Sequence, residues 1–278
     1  MTLEQLISDP ELPSLPEAVI KLNSLISHDA PMTQISEVLI HDPALTLRTL
    51  ELANSAWFKR EKTIESVNEA ISIIGLAALY QLIFATSVTR LFNDINPQQF
   101  TMKSFWQESV RTATLMQTLA TYVNEPGQNL FTIGLTTYIG KLILATAGPY
   151  LAYKVYQRYD GKTVPLYEVE KEIIGYTHVE ISAAIMERWK LPESFYLPIK
   201  YCYHPFDAPE PHAQVARLLH LAHYLQCSFY PDESGQTPPV YVLNPELINS
   251  LKIETTEFQR IVESAANLFD EAMILLGL

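Results

Sequence analysis

The chain has 278 residues, 48% of them hydrophobic and 18% charged. That is enough apolar material for one large domain or two smaller ones, and too much for a disordered chain. Its 31 acidic against 19 basic residues leave a formal charge of -12, which repels phosphate backbones and sets nucleic acid aside as a partner.

Two cysteines, Cys202 and Cys227, are too few for a disulfide framework or a thiolate metal site and fit a reducing compartment. Met1-Thr2-Leu3-Glu4-Gln5 lacks the basic start of a signal peptide, so a cytoplasmic location is expected. Residues 70–89 carry no charge and are long enough to span a bilayer. Ser72, Tyr80, Gln81 and Thr86 interrupt the stretch, however, and Gly75 reads as a helix end that divides it. Two buried helices are expected there, with no membrane partner.

The pattern along the chain is helical. Ser14 is expected to cap a helix whose apolar face is Leu15, Val19, Leu22, Leu25 and Ile26. After a loop at 29–33, Thr33 is expected to cap a helix carrying Ile35, Val38 and Leu39. Asp42-Pro43 opens a third, because aspartate caps and proline suits the first turn. Its Leu45, Leu47, Leu50 and Leu52 are expected to be mostly buried. Ser66 starts a fourth that ends at Gly75, and 76–92 supplies a fifth, apolar on more than one face.

Residues 93–101, holding Asn96-Pro97, break the periodicity and separate an N-terminal helical lobe, 1–95, from a second helical lobe, 96–278. Beyond the break, 105–123 reads as one amphipathic helix, 124–127 as a turn, and 130–153 as an apolar helical region broken at Gly148-Pro149. Further helices are expected over 168–174, 178–190, 193–201 and 212–226. A loop over 231–244, with a short extended piece at 240–243, precedes Asn244-Pro245-Glu246, which caps a short helix. Thr255 starts the last helix, with Phe258, Ile261, Val262, Ala265, Leu268 and Leu275 in one stripe. No strand-like alternation persists, so the fold class is all-α, a two-lobed helical bundle.

Chemistry-bearing motifs are sparse. No Gly-rich phosphate loop, nucleophile elbow or Cys-x-x-Cys appears. The run Thr137-Tyr138-Ile139-Gly140-Lys141-Leu142 resembles the motif of HD-type metal phosphohydrolases in its Ile-Gly-Lys-Leu tail only. The family's His-Asp pair falls on Thr137 and Tyr138. A hydroxyl and a phenol, with pKa about 10, are poor divalent-metal ligands beside an imidazole and a carboxylate.

Several more fragments resemble the HDOD family, output-domain relatives of those enzymes. They are Leu12-Pro13-Ser14-Leu15-Pro16, His41-Asp42-Pro43-Ala44-Leu45, Leu52-Ala53-Asn54-Ser55-Ala56, Phe105-Trp106-Gln107-Glu108-Ser109 and Trp189-Lys190-Leu191-Pro192. With a last match at Val215 to Leu225, they occur in order over about 12–225. The resemblance implies a metal-ligand histidine at Glu108 or Ser109, a final aspartate at His223, and a His-His pair at Cys202-Tyr203 or Tyr203-His204. Apart from His204 in the second of these alignments, none of these positions keeps its ligand.

The resemblance therefore implies a non-catalytic bacterial signal-transduction module that works by protein interaction or effector sensing. No cofactor, no metal and no catalytic residue is expected. The alternative is a metal-dependent phosphohydrolase with a rearranged site. The pocket for a small effector is expected near Glu108, Thr137, Tyr138, Lys141, His178, His204, His220 and His223. His220 and His223, three apart, share a helix face and could join His178 or His204, but no carboxylate pair accompanies them. A protein partner or self-association is expected through loop aromatics: Trp57-Phe58, Tyr201, Tyr203, Phe206, Phe229-Tyr230 and Tyr241, with 203–206 and 229–230 preferred.

Overall fold

Polar side chains cap several of the helix starts in the structure, a computed structural model that describes residues 1–55, 62–92, 94–123, 127, 129–231 and 243–278. Four helices come first: α1 (Leu3–Ile7), α2 (Glu17–Ser27), α3 (Met32–His41) and α4 (Pro43–Ala53). Then follow α5 (Val67–Ile74), α6 (Leu76–Leu91), α7 (Met102–Leu119), α8 (Leu130–Thr136), α9 (Ile139–Ala147) and α10 (Pro149–Arg158). The chain continues with α11 (Leu166–Ile174), α12 (His178–Arg188), α13 (Glu193–Lys200), α14 (Ala213–Phe229), α15 (Pro245–Leu251) and α16 (Phe258–Leu276). Among the described residues there is no strand.

Asp42 caps α4 by accepting from the amides of Ala44 and Leu45 at 2.9 and 3.0 Å, with Pro43 in the first turn. Ser66, Thr101, Thr177 and Asn244 cap α5, α7, α12 and α15 in the same way. Ser14 and Thr33 do not cap. Pro16 and Pro31 stand at the cap positions of α2 and α3, with extended ψ of 136° and 141° and no side-chain bond. Their rings fix a φ suited to entering a helix, which leaves Ser14 upstream and Thr33 inside the first turn. Leu47 is 64% exposed, a second departure, because Leu45, Thr49 and Leu52 take the inward face of α4.

Gly75, at φ 83°, ends α5 and lets α6 leave at 109°, so the apolar stretch over 70–89 is two bent helices. The Leu130–Ala147 stretch is also long and apolar enough to cross a membrane, yet 78% of it is buried inside the protein. It does not run unbroken to Gly148. α8 stops at Thr136, and Tyr138, at φ -100° and ψ 4°, precedes α9. Ser182 of α12 makes that break tenable: its hydroxyl accepts from the Gly140 amide at 2.8 Å and donates to the Thr137 carbonyl at 2.7 Å.

One apolar cluster runs from Leu6 through α2, α6, α7, α9, α12 and α14 to Leu276. α6 buries Leu79, Tyr80, Ile83, Phe84 and Val88, and packs on α2, α4, α5, α8 and α16. Phe84 and Tyr80 meet the ring of Phe195 at 5.7 and 6.5 Å, and the Tyr80 hydroxyl donates to Asn23 at 2.9 Å. Each large apolar side chain so covered contributes about 1.5–3 kcal/mol. Residues before and after the 94–101 connection therefore share a single core.

Trp57-Phe58, the loop over 232–242 with Tyr241, and the 124–126 part of the expected turn lie outside the described residues.

Candidate functional site

The break at Tyr138 faces α7, α12 and α14, and beside it opens a cavity of about 410 Å³. Gly140 is what brings α12 this close. A Cβ there would collide with the His178 carbonyl and the Ile181 side chain, so the glycine of Ile-Gly-Lys-Leu serves backbone-to-backbone packing.

Three buried clusters form the cavity floor. Tyr138, fully buried, bonds through its hydroxyl to Nδ1 of His223 at 2.7 Å and to Oγ1 of Thr112 at 3.1 Å. Burial, with Glu108 and the two cysteines nearby, raises the phenol's pKa, so the proton stays. The same burial, reinforced by His178, His220 and Lys141, lowers the pKa of His223 and keeps it neutral.

The second cluster centres on His178. Its Nδ1 lies 2.7 Å from Oε2 of Glu170, which also accepts from the His178 amide at 2.8 Å. Its Nε2 meets the Tyr203 hydroxyl at 2.9 Å, and the Tyr203 ring stacks on Tyr167 at 4.0 Å. Burial raises the Tyr203 pKa as well.

The third cluster is an ion pair. Nζ of Lys141 sits 2.8 and 2.7 Å from the two carboxylate oxygens of Glu108, and 4.6 Å from the centre of the Tyr138 ring. Both ends are largely covered, which strengthens a two-pronged contact relative to one in open water.

Of the residues singled out in the sequence, Glu108, Lys141, His178 and His223 line the cavity, and Tyr138 lies directly beneath through its bond to His223. Of the other residues expected at the pocket, Thr137, His204 and His220 do not line it. The Thr137 hydroxyl is engaged by the Ile133 carbonyl at 2.8 Å. His220 turns its Nδ1 to the Cys202 carbonyl at 2.6 Å, and burial lowers its pKa to about 4. His204 is exposed in the turn before Pro205. Ser109, the other residue at the Glu108 position, is fully buried, and its hydroxyl has no partner among the described residues.

A binuclear metal centre requires several anionic and imidazole donors turned to one point. Among the described residues no three His, Cys, Asp or Glu side chains converge that way. Both Glu108 oxygens hold the Lys141 ammonium, and Nδ1 of His223 holds the phenol that stands at the bridging-carboxylate position. The donor set does not fit a divalent ion.

Sequence reasoning overlooked Arg111, Tyr156, Tyr167 and Glu170. Arg111 follows Glu108 by three, a helical spacing that could have paired them on one face. The eight-residue separation of Glu170 and His178 carries no such signal. Tyr203, expected in an exposed patch, is only 8% exposed, because its ring closes the cavity against Tyr167. In the two preferred patches the open rings are Phe206 and Phe229, 39% and 37% exposed.

A family model described as HDOD domain matches residues 12–205. An uncharacterized protein of Treponema pallidum (strain Nichols) is 25% identical over 203 residues, 72% of this chain. The chain spans 39% of the length of that curated relative. Among solved structures, a protein of Shewanella amazonensis SB2B titled "Putative phosphohydrolase" is 25% identical with a TM-score of 0.73. That likeness covers 99% of this chain and 97% of the other. A Marinobacter aquaeolei VT8 protein titled "Putative signal transduction protein" has a TM-score of 0.74 at 24% identity, covering 96% of this chain and 59% of its own; it shares the fold.

Proposed function

This chain belongs to the HDOD domain family, and we propose that it is a non-catalytic regulatory module of bacterial signal transduction, acting by effector sensing in the cavity or by binding a protein partner. One observation carries the reading: a protonated, fully buried phenol, Tyr138, stands where the related hydrolases place a bridging carboxylate. Two cations a few ångström apart need an anion between them, and a neutral phenol hydrogen-bonded to a neutral imidazole supplies none. Lys141 provides the positive charge that Glu108 would otherwise seek from a metal. The name of the Marinobacter aquaeolei protein, which shares the fold, agrees with a signalling role.

Metal analysis of the purified chain tests this, together with turnover of phosphomonoesters and diesters in the presence of Mn²⁺ or Fe²⁺. Sub-stoichiometric metal and no chelator-sensitive turnover are expected. The Shewanella amazonensis relative, named for phosphohydrolase activity and similar along nearly the whole chain, supports a second reading: hydrolysis at a rearranged metal site. Activity that a chelator abolishes and Mn²⁺ restores would establish that reading and remove the first.

A further inference from the structure

Two cations line the cavity, and they stand differently. Lys141 is neutralised by both oxygens of Glu108. Arg111, one turn further along α7, has its guanidinium carbon 4.7 Å from the centre of the Tyr230 ring and 5.3 Å from that of Phe269. These rings hold the guanidinium in place without engaging its N–H groups, and among the described residues it forms no ion pair and no hydrogen bond. A partly buried guanidinium that keeps its five donors and borders a cavity is organised to receive a planar anion through two parallel bonds. Tyr156 lines the same cavity, and its hydroxyl likewise has no partner among the described residues.

The walls specify the rest of the ligand. Phe100 and Phe105 stack at 5.9 Å, Phe100 meets Tyr156 at 5.9 Å, and all three border the space. Such ring faces favour a flat, conjugated body. The charge balance favours a single negative charge. Of the two lysine and arginine groups only Arg111 is unpaired, and the Glu108 carboxylate three residues away would repel a second anionic oxygen. A phosphate dianion or a polyphosphate would need the cation that Glu108 already holds.

We infer that the cavity is a binding site for a small aromatic monocarboxylate, with Arg111 gripping the carboxylate, Tyr156 donating to it, and the Phe100–Phe105 wall covering the ring. The inference rests on the effector-sensing reading of this cavity and names its ligand class.

Calorimetric titration of the full chain decides it, with naphthalene-2-carboxylate, naphthalene-2-carboxamide, 2-naphthyl phosphate and acetate as probes. Naphthalene-2-carboxylate should saturate one site, with the carboxamide and acetate weaker by about tenfold or more and the phosphate no tighter than the carboxylate. Arg111→Gln should weaken the carboxylate about 10- to 100-fold. Tyr156→Phe, which keeps the ring, should weaken it about threefold to tenfold and serves if the arginine variant fails to fold. Glu108→Gln releases Lys141 and should move the preference toward the phosphate.

Equal binding of carboxylate and carboxamide would overturn the inference, as would tighter binding of the phosphate by the unaltered chain. So would an Arg111→Gln variant that binds as before, or no saturation by naphthalene-2-carboxylate up to about 1 mM. Metal content and turnover test the regulatory reading separately, so either conclusion can fall while the other stands.

Discussion

The floor and the wall of the cavity are built from similar residues and are organised in opposite ways. On the floor, His223 and Tyr138 engage each other, while His178 is held between Glu170 and Tyr203. On the wall, Arg111 lies against two rings, and Tyr156 lines the cavity with no hydrogen bond among the described residues. Apart from Glu170 Oε1, which is buried with no partner among the described residues, the bonds of these floor groups are internal, and groups so engaged contribute to stability and offer little to a ligand. A polar group that packing holds but does not bond is available for recognition. Changes to the Tyr138–His223 and Glu170–His178–Tyr203 clusters should therefore act on folding, and changes to the wall on binding.

The sharpest way to break this contrast is Glu170→Ala. Glu170 is fully buried and serves both the amide and Nδ1 of His178, so its removal should cost about 3–5 kcal/mol in chemical denaturation. A loss below 1 kcal/mol would mean that the floor is not structural. Gly140→Ala follows, at about 3 kcal/mol, since its Cβ meets backbone that cannot move aside, and a collapsed melting transition would register it.

Third comes pH. The folded-state pKa of His220 is lowered to about 4, chiefly by burial, against an ordinary 6.5. Between those values the unfolded chain binds the extra proton, so the stability that neutral His220 contributes is fully present above pH 6.5 and is lost as pH falls toward 4. The full contribution is about 3 kcal/mol, and His223, shifted the same way, steepens the slope. Urea midpoints measured from pH 7.5 to 5 should fall, and His220→Asn should flatten the curve.

Tyr138→Phe should cost about 1–3 kcal/mol, because it leaves Nδ1 of His223 buried without its phenol. The smallest effect belongs to the wall. Arg111→Gln gives up two ring contacts and should lower stability by about 0.5–1 kcal/mol in the same denaturation series. A loss as large as that of Glu170→Ala would erase the distinction between floor and wall.

The all-α class, the order of most helices and the turn at Gly75 were legible in the chain itself, while α1 and the break between α8 and α9 were not. The Asp42, Ser66 and Asn244 starts were legible too, because periodicity and capping act over a few neighbouring residues. The absence of His-Asp at Thr137 and Tyr138 was equally plain from residue identity. Ser14 and Thr33 went otherwise for a local reason, since a proline took each cap, whereas Leu47 is exposed because packing turned Leu45, Thr49 and Leu52 inward.

What only the tertiary structure decided is which polar groups meet. Tyr138 and His223 are 85 residues apart, Lys141 and Glu108 are 33 apart, and the Ser182 hydroxyl that allows the break before α9 comes from α12. No local pattern encodes such pairs, since helix packing fixes them. Arg111 shows this most clearly: as a sequence position it is one cation on an amphipathic helix. It becomes a recognition group only because Glu108 turns to Lys141 while Tyr230 and Phe269, from the far end of the chain, close over the guanidinium.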